Sequence, residues 1–466
     1  MSVAALDRRG FLAGLLAAGL APSWARAADL PPPRVAQARL SGTVAYALMD
    51  AVSGAMIEGY QPDLSLPAAS TLKTVTTLYA LDRLGPEHRF STRVIRAGNM
   101  LVLAGGGDPV LDTDALDQLA AATVEAERTA GRAAPTTFAV WGGALPRVAQ
   151  LDPAQAVHLP YNPSISGMIL NFNRVHLQWR RGAQGPQLSL EARGRRLSPR
   201  AYTASIAPVA RRAPLFDYDG SGQKENWTIA RSALDQPGSR WLPVRRPELY
   251  AGDVFQTLCR ARGLVLPAPE TIEILPDGPE IARQDSPPLR DLARDMLAYS
   301  TNLTAEVLGL SASGAGDVAQ SAAAMAQWLR GQGIEGAFSF QDHSGLAAGN
   351  RLTARILAQV LAGPGQRQNL RALLKPIPIK AAPGADAEPD LHVAAKTGTL
   401  NFVSNLAGYA RRAEGPDRIF AILTADEPRR AATEGQELPD GVLAWTRQSK
   451  ALQQGLIADW CPADQG

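Results

Sequence analysis

Ser70 and Lys73 are separated by two residues, at the start of a segment whose apolar residues recur with helical spacing. Residues three apart on a helix share a face, so the Lys73 amine can approach the Ser70 hydroxyl. A serine hydroxyl becomes a good nucleophile only when a base takes its proton. A lysine can be that base if burial or a nearby positive charge lowers its pKa. The pair therefore predicts nucleophilic catalysis by Ser70.

Two more polar motifs follow along the chain. Ser300 and Asn302, with one residue between them, lie on a predicted loop between two helical segments. A Lys-Thr-Gly-Thr run at residues 396–399 lies on a predicted strand, where Gly398 leaves room for a ligand backbone. Each motif alone is common, and a helix cap, a loop polar group or a surface lysine would explain it. The order of the motifs along the chain and the helix, loop and strand predicted to carry them together indicate one site.

Lysine usage supports this interpretation. The chain contains six lysines and 41 arginines, and two of the six lysines are Lys73 and Lys396. Arginine does not deprotonate in proteins and cannot act as a general base. His343 beside Ser344 suggests a serine–histidine pair instead, but no Gly-x-Ser-x-Gly turn accompanies it. Residues 342–346 are therefore interpreted as a structural turn near the site.

The segments that carry the motifs predict an α/β (α+β) fold. Residues 42–63 alternate in polarity around a Ser-Gly turn, which predicts two antiparallel strands. The helix after them ends at Gly85, which is followed by proline. Residues 287–334 have helical periodicity, and the last part of the chain predicts three strands and a final helix.

Residues 91–286 differ from the flanking segments. They contain many short β-like runs separated by Gly-, Pro- and Arg-rich turns, with one helical segment at residues 247–264. We therefore predict a domain made of residues 28–90 and 287–466, in which helices cover an antiparallel sheet. Residues 91–286 are predicted to be an inserted, mostly β region of one or two small modules.

The N-terminus has the features of a targeting segment. The whole chain has 466 residues and a net charge of only +3, which gives no footprint for nucleic acid. Arg8 and Arg9 precede a short apolar run, and Ala25 and Ala27 frame a small-x-small cleavage site. Residues 1–27 are thus predicted to be a signal peptide that uses the twin-arginine route to the periplasm. The apolar run is too short to span a bilayer comfortably, and no membrane span is expected after cleavage.

The two cysteines, Cys259 and Cys461, would both remain after cleavage, and export would permit a disulfide between them. Cys259 has helical spacing from Phe255 and Leu258, which favours a buried thiol instead. Two cysteines and five histidines make no zinc pattern, and the three glycines at residues 105–107 lack the rest of a phosphate loop. No metal and no cofactor is predicted.

The Ser-x-x-Lys, Ser-x-Asn and Lys-Thr-Gly motifs, in this order, resemble those of the penicillin-recognising serine acyltransferases. The long segment between Lys73 and Ser300 resembles the class C low-molecular-mass penicillin-binding proteins, the D-alanyl-D-alanine carboxypeptidase/endopeptidase family. Other similar stretches are residues 105–112, 161–175, 243–255, 300–308, 342–346 and 394–409. The chain departs from the family at residues 142–146, where Gly-Gly-Ala-Leu-Pro replaces an acidic, Asp-Asp-Ser-like signature. Residues 375–390 do not align with the family.

The resemblance implies hydrolysis of the terminal D-Ala-D-Ala of peptidoglycan stem peptides. Ser70 would attack the carbonyl with Lys73 as base, and Ser300 would relay the proton to the leaving amine. The N–H groups of Ser70 and Thr399 would form the oxyanion hole. The implied catalytic residues are Ser70, Lys73, Ser300 and Asn302. The implied substrate-binding residues are Lys396, Thr397, Gly398 and Thr399, among which Lys396 attracts the terminal carboxylate and also helps to keep Lys73 neutral.

The predicted function is a serine DD-peptidase that forms an acyl-enzyme on Ser70 and binds β-lactams covalently. Whether carboxypeptidase or endopeptidase activity dominates stays open. A β-lactamase shares the acylation step but must deacylate rapidly, and the long insertion argues against it. A catalytically silent peptidoglycan-binding protein is the non-enzymatic alternative, and the complete set of catalytic side chains argues against it.

Overall fold

The computed structural model describes residues 30–183, 185–380 and 386–463. The predicted signal peptide, residues 1–27, lies outside the described residues. The first described segment contains α1 (Pro33–Ala38), β1 (Thr43–Asp50), β2 (Met56–Tyr60), β3 (Leu66–Pro67) and α2 (Leu72–Leu84). Strands β1 and β2 pair antiparallel, as predicted. Helix α2 begins just after Ser70 and ends at Gly85, also as predicted.

The middle of the chain is rich in strands. Its elements are β4 (Ser91–Ala97), β5 (Met100–Ala104), α3 (Thr113–Thr129), β6 (Thr137–Trp141), β7 (Arg174–Gly182), β8 (Gly185–Glu191), β9 (Ala204–Val209), β10 (Phe216–Asp219), β11 (Glu225–Ala230), β12 (Gly238–Pro243), α4 (Pro247–Ala261), β13 (Pro269–Ile272) and β14 (Glu280–Asp285). They form one five-stranded sheet, in the order β13-β6-β5-β4-β14, and two three-stranded sheets. Ser91 pairs with Asp285, so the chain enters and leaves this region on adjacent strands.

The last segment returns to the first. Its elements are α5 (Leu289–Tyr299), α6 (Asn302–Ser313), α7 (Val318–Gly331), β15 (Arg351–Leu352), α8 (Ala354–Val360), β16 (Lys375–Pro376), β17 (Leu391–Leu400), β18 (Val403–Arg412), β19 (Arg418–Ala425), α9 (Glu427–Ala432) and α10 (Val442–Trp460). A six-stranded sheet in the order β16-β17-β18-β19-β1-β2 joins the two ends of the chain. All its neighbouring strands are antiparallel. The predicted fold class, an antiparallel sheet covered by helices and interrupted by a strand-rich insertion, is confirmed.

The sheet is buried on both faces. Alternate residues of a strand point to opposite faces, so Tyr46 and Leu48 pack with α10 on one side. Ala45 and Ala47 belong to the helical core on the other side. Full burial of a large aliphatic side chain contributes roughly 1.5–3 kcal/mol, so these two layers hold the first and last segments of the chain together.

Helix α2 is more deeply buried than its sequence predicts. Its apolar residues predict one buried face, but every residue from Leu72 to Ala80 is buried, because α5, α6 and α7 pack around it. The polar side chains in this run are hydrogen-bonded, as buried polar groups generally are. Thr77 donates to the Lys73 carbonyl at 2.8 Å, and Thr76 donates to the His343 carbonyl at 2.6 Å. The helix that carries Lys73 is therefore the centre of the helical layer.

The inserted region contains one long helix that the sequence reading missed. Helix α3 begins after Asp112, whose side chain accepts a hydrogen bond from the Ala115 N–H at 2.8 Å. This is an N-cap, and the acidic residues near the start of the helix are a recognisable signal for it. Helix α4, which was predicted, lies beside α3 on the same core. The limits of the predicted domains, 28–90 with 287–466 and 91–286, stay a prediction.

Both cysteines are buried free thiols. Cys259 belongs to the core of the inserted region and Cys461 to the core beneath α10, so the buried-thiol interpretation of Cys259 is confirmed. Over residues 30–183, 185–380 and 386–463, no helix has the length and apolar character needed to cross a membrane. Within the same residues, no three or more His, Cys, Asp or Glu side chains cluster in a way that could hold a metal ion.

Candidate active site

Ser70 lies in a single 3₁₀ turn, Ala69–Thr71, that leads directly into α2. Ala69 has a φ of +45°, a left-handed conformation that is uncommon for a residue with a side chain. Two side chains hold this turn. The Thr71 hydroxyl donates to the Ala68 carbonyl at 2.6 Å, and the Asn405 amide of β18 donates to the same carbonyl at 3.0 Å. The turn is thus anchored to the central sheet, with Ser70 half-exposed.

Lys73 lies one helical turn below Ser70 and is completely buried. Its amine contacts three oxygen acceptors, which are Ser70 Oγ at 2.9 Å, Asn302 Oδ1 at 2.8 Å and the Ser344 carbonyl at 2.7 Å. Burial lowers the pKa of Lys73 to about 8, although the carboxyl groups of Asp342 and Glu306 act in the opposite direction. A lysine with this pKa has a substantial neutral fraction near neutral pH, which a general base requires.

Glu306 and Asp342 are two buried acids behind Lys73, and the sequence reading assigned no role to either. Glu306 accepts backbone hydrogen bonds from His343 and Ser344, the latter at 2.9 Å. Asp342 accepts from the Gly345 N–H at 2.7 Å. Burial raises the pKa of both carboxyl groups. Both residues lie inside stretches that resemble the family, 300–308 and 342–346, and that was the only signal for them.

The 342–347 turn packs directly against the turn that carries Ser70. Gly345 has a φ of +79°, and a Cβ atom at this position would lie 1.8 Å from the Ala69 carbonyl oxygen. Only glycine permits so close an approach. The structural role predicted for residues 342–346 agrees with this packing. His343 is fully buried, its ring nitrogen Nε2 lies 2.7 Å from Ser321 Oγ, and burial lowers its pKa to about 3. It therefore does not form a catalytic pair with Ser70.

Ser300 and Asn302 lie at the junction of two helices, as predicted. Ser300 has a left-handed φ of +60° and ends α5, whereas Asn302 is the first residue of α6. Asn302 bridges the site, because its carbonyl oxygen accepts from Lys73 while its amide donates to the Tyr161 carbonyl at 2.9 Å. Tyr161 belongs to the inserted region, so that region forms part of the site. The sequence reading noted 161–175 as similar to the family but assigned no site role there.

Lys396 contacts Ser300, the second motif serine, as Lys73 contacts Ser70. Its amine donates to Ser300 Oγ at 2.9 Å and to the Thr397 carbonyl at 2.8 Å. Burial, together with the charges of Lys73 and Lys375, lowers the pKa of Lys396 to about 6. The role expected for Lys396 requires a positive charge, and burial opposes that charge until an anion is present. The two motif lysines are thus joined to the two motif serines, one pair on each side of the site.

Gly398 has a different neighbour from the one predicted. The sequence reading expected glycine here to leave room for a ligand. A Cβ atom at 398 would instead lie 3.0 Å from the Thr71 amide nitrogen and 3.2 Å from the Ala68 carbonyl oxygen. The missing side chain therefore lets β17 pack against the turn that carries Ser70, which brings residues 396–399 into the site.

A cavity of about 550 Å³ opens above these residues. Five of the eight predicted site residues line it, namely Ser70, Ser300, Asn302, Thr397 and Thr399. Lys73 and Lys396 lie beneath the cavity floor, bonded to its two serines. The rest of the wall includes Gln155 and Tyr161 of the inserted region, residues 345–346, 400–401 and 430, and parts of α10 and of the segment before it. The structure thus brings all eight residues to one place, and their individual roles stay predictions.

The fold and the Ser-x-x-Lys, Ser-x-Asn and Lys-Thr-Gly motifs that meet in this cavity define the class of the low-molecular-mass penicillin-binding proteins. The model of the D-Ala-D-Ala carboxypeptidase 3 (S13) family matches residues 33–448. The chain belongs to this family, and the predicted enzyme class, a serine-type D-Ala-D-Ala carboxypeptidase, is confirmed at that level.

Individual relatives are distant. A carboxypeptidase of Mycobacterium tuberculosis is 28% identical over 410 residues, covering 82% of this chain and 76% of the relative. The D-alanyl-D-alanine carboxypeptidase of an Actinomadura species, strain R39, is 24% identical over 443 residues, covering 82% of this chain and 77% of the relative. The crystal structure of penicillin-binding protein 4 from Haemophilus influenzae matches with a TM-score of 0.68 at 18% identity, covering 90% of this chain and 98% of that protein. That protein has also been solved in complex with a β-lactam.

Proposed function

We propose that this carboxypeptidase works through a covalent acyl-enzyme on Ser70 and that β-lactams such as penicillin acylate the same oxygen. The observation that supports this most strongly is the 2.9 Å contact between Ser70 Oγ and the Nζ of a fully buried lysine. Lys73 has a lowered pKa and can accept the serine proton as the hydroxyl attacks the carbonyl of the terminal D-Ala-D-Ala bond.

The next proton transfer uses the second serine–lysine pair, Ser300 and Lys396. Ser70 Oγ forms a bond to the carbonyl carbon, and the bond from that carbon to the leaving amine breaks. Ser300, which contacts Lys396, donates its hydroxyl proton to the leaving amine nitrogen and is reprotonated with the proton that Lys73 took from Ser70. Water then attacks the acyl carbon, releases the shortened peptide and restores the Ser70 hydroxyl. The N–H groups of Ser70 and Thr399 are proposed to stabilise the oxyanion in both steps.

The substrate backbone is proposed to lie along β17. Strand β18 pairs with one edge of β17 along its whole length. On the other edge, among the described residues, β16 covers only Ala394 and Ala395. The edge from Lys396 onward is therefore open beside the cavity, and an extended peptide can add to it as a further strand. Its terminal carboxylate would then lie near Lys396, Thr397 and Thr399. Endopeptidase cleavage of cross-linked peptides would use the same groups.

Mass spectrometry after exposure to penicillin tests the proposal. The mature protein should gain one drug equivalent, and peptide mapping should place it on Ser70. Ser70→Ala should gain none, whereas the control Ser205→Ala, an exposed serine of the inserted region, should react like the unaltered protein. Stoichiometric acylation of Ser70→Ala would refute the assignment. Sustained turnover of a chromogenic β-lactam would favour a β-lactamase instead, and an unreactive wild-type chain would favour the silent binding protein.

We also propose that the chain is exported to the periplasm, cleaved after Ala27 and released without a membrane anchor. The paired arginines Arg8 and Arg9 before a short apolar run support this. The N-terminal residue of the mature protein in a soluble extracytoplasmic fraction should be Ala28. An intact N-terminus in washed membranes would contradict cleavage. Replacing both arginines with lysine should block export, and unaffected export would indicate the general secretion route.

A further inference from the structure

A second cavity, of about 620 Å³, lies between the inserted region and helices α5 and α6. The segment from residue 299 to residue 304 forms a wall of both cavities. It contributes Tyr299, Thr301 and Thr304 to the second cavity, whereas Ser300 and Asn302 face the catalytic one. The volume is in the range of sites that hold an organic ligand rather than a single ion. The catalytic steps proposed above leave this cavity without a role.

Arg174 is the central cationic group of the second cavity. Its guanidinium carbon lies 4.9 Å from the centre of the Phe172 ring and 5.4 Å from that of the Trp241 ring. The side chain is half-buried, and its Nε is buried without a hydrogen-bond partner among the described residues. Burial lowers the pKa of Arg174. Among the described residues, no carboxylate forms an ion pair with it. A desolvated guanidinium without an acceptor is costly, and buried charges are normally paired.

A second unpartnered group belongs to a residue in the wall of the same cavity. Thr304 is only 1% exposed, and its Oγ1 has no hydrogen-bond partner in the part of the chain that the structure describes. Threonines in helices often bond to the carbonyl four residues earlier, but for Thr304 that residue is Ser300, which has the left-handed conformation. Unsatisfied buried polar groups are rare in folded proteins. Here two of them belong to residues in opposite walls of one cavity.

The wall that carries Arg174 is built by an unusual backbone. Asn171, Phe172 and Asn173 are three consecutive left-handed residues, with φ values of +51°, +57° and +51°. Such conformations persist only where the surrounding structure holds them. Asn171 is held by hydrogen bonds to Thr113 Oγ1 at 2.8 Å and to the Tyr250 hydroxyl at 3.3 Å. The turn places Phe172 in the cavity wall, where its ring contacts the Arg174 guanidinium.

The rim of the cavity adds positive charge. Arg193 and Arg195 are exposed there, on a loop fastened by Asp114, whose side chain accepts backbone hydrogen bonds from Arg195 at 2.9 Å and from two neighbouring residues. The opposing acids are Asp112, which is occupied as the cap of α3, and Asp295. Three arginines therefore face two aspartates, which favours an anionic ligand of low charge.

We propose that the second cavity binds a carboxylate of an acidic peptide, with Arg174 as its partner and the Phe172 and Trp241 rings as flanking surfaces. The choice of a peptide rests on the proposed function, because the substrate of that function carries peptides. The planar guanidinium fork matches a carboxylate. A neutral glycan would leave Arg174 unpaired, and a small hydrated ion would leave most of the cavity unfilled. The 299–304 segment also carries Ser300 and Asn302. A ligand in the second cavity would therefore contact the same segment that holds these two proposed catalytic residues.

The test uses a fluorescein-labelled triglutamate peptide and fluorescence anisotropy on the mature protein. Arg174→Gln should weaken binding by roughly tenfold or more, the usual effect of losing charge-assisted hydrogen bonds. The control Arg180→Gln, an exposed arginine of the same strand, should bind within twofold of the unaltered protein. Lys396→Ala should retain the binding, which would separate this cavity from the catalytic one. Equal affinity of Arg174→Gln and Arg180→Gln would overturn the proposal.

Competitors test the ligand class. A triglutamine peptide with an amidated C-terminus, which carries no carboxylate, should compete at least about tenfold less well than triglutamate. Equal competition by triglutamine would show that the site does not require a carboxylate. Equal competition by inorganic phosphate would indicate a general anion site. Competition by an N-acetylglucosamine trimer would favour a glycan ligand. Each of these results contradicts the proposal.

A crosslinking experiment keeps the proposal testable if Arg174→Gln does not fold. A benzophenone-labelled triglutamate peptide, photolysed with the wild-type chain, should attach near residues 171–174, 193–195 or 241. Attachment confined to residues 396–446 would overturn the proposal. Penicillin acylation of Ser70 is measured in parallel, because a chain that binds the peptide at Arg174 but is not acylated would refute the proposed function and not this inference.

Discussion

Lys73 and Lys396 are two buried lysines of one site, yet their surroundings differ. Lys73 has two carboxyl groups behind it, those of Glu306 and Asp342, and its amine contacts three acceptors. Lys396 has two acceptors and, as its charged neighbours, two other lysines. Burial lowers both pKa values, to about 8 for Lys73 and to about 6 for Lys396.

The two environments differ in the groups that offset the desolvation of the lysine charge. The acids near Lys73 partly offset its desolvation, so its proton can leave and return near neutral pH. Among the described residues, no acid offsets the desolvation of Lys396, so an anion in the cavity would favour its charged form. One lysine is thereby suited to exchange a proton with Ser70, and the other to receive a carboxylate. Four substitutions can break or sharpen this comparison.

Lys73→Arg should have the largest effect. Arginine keeps the positive charge but does not deprotonate at working pH, so the general base is lost. The rate of Ser70 acylation by a fluorescent penicillin should fall roughly a hundredfold to ten-thousandfold. Lys450→Arg is the matched control, because Lys450 lines the same cavity but is exposed, and its rate should stay within about twofold. Acylation of Lys73→Arg within tenfold of the wild-type rate would show that Lys73 is not the base.

Gly345→Ala should disrupt the Lys73 side of the site alone. Its new Cβ would lie 1.8 Å from the Ala69 carbonyl oxygen, so the Ser70 turn must move. Acylation should fall about a hundredfold, the usual penalty for misplacing reacting groups by roughly 1 Å. Gly333→Ala is the control, since Gly333 has the same φ of +79° and no atom within 4 Å. Both should lose about 1–2 kcal/mol of unfolding free energy from the left-handed backbone. Equal acylation rates would mean that the packing of Gly345 does not position Ser70.

Glu306→Gln should have a smaller effect with a defined sign. The ionised carboxylate raises the pKa of Lys73, so its removal lowers that pKa. Burial raises the pKa of Glu306 itself, which keeps this shift small near neutral pH. Acylation needs neutral Lys73, and the acidic limb of the rate profile should therefore move to lower pH. The plateau should fall by about tenfold or less, because the new amide NH2 would face the His343 N–H, which now donates to a carboxylate oxygen at 3.1 Å. Glu437→Gln, on the exposed cavity wall, should leave the limb in place. A limb that moves to higher pH would contradict this account.

The helices and strands around the motifs were predictable because their periodicity is local. The pairing of β1 with β2, the helix after Ser70 and the loop at Ser300 follow from alternation, helical spacing and turn residues. The acids behind Lys73 were not predictable in the same way. Glu306 lies within a helix and Asp342 within a turn, and only the packing of α2 against α6 brings both to Lys73.

Contacts between distant segments account for the other differences. The function of Gly398 depends on the turn at residues 68–71, which no local pattern connects with β17. Likewise, the burial of the whole first half of α2 depends on three helices that follow more than 200 positions later. Sequence reasoning thus selected candidate residues that the fold brings to one place, whereas the difference between the two lysine environments required the fold.

Lys396→Arg should have the smallest effect, and its pH dependence is the sharpest test of the comparison. The guanidinium can still pair with a carboxylate, although its bulk misplaces the substrate, so a loss of about tenfold or less is expected near pH 6. Above pH 6 the wild-type lysine loses its proton, and binding a carboxylate must then take a proton up. Wild-type KM for a substrate with a free terminal carboxylate should therefore rise with pH, by at most about tenfold per unit. Arginine stays charged, so the deficit of the variant should shrink between pH 6 and pH 8. Each KM is divided by the KM for the analogue that carries a carboxamide in place of the terminal carboxylate. The effect of Lys73 titration is common to both substrates and cancels in this ratio. A ratio that is constant with pH in both proteins would show that Lys396 does not act as the carboxylate-binding cation.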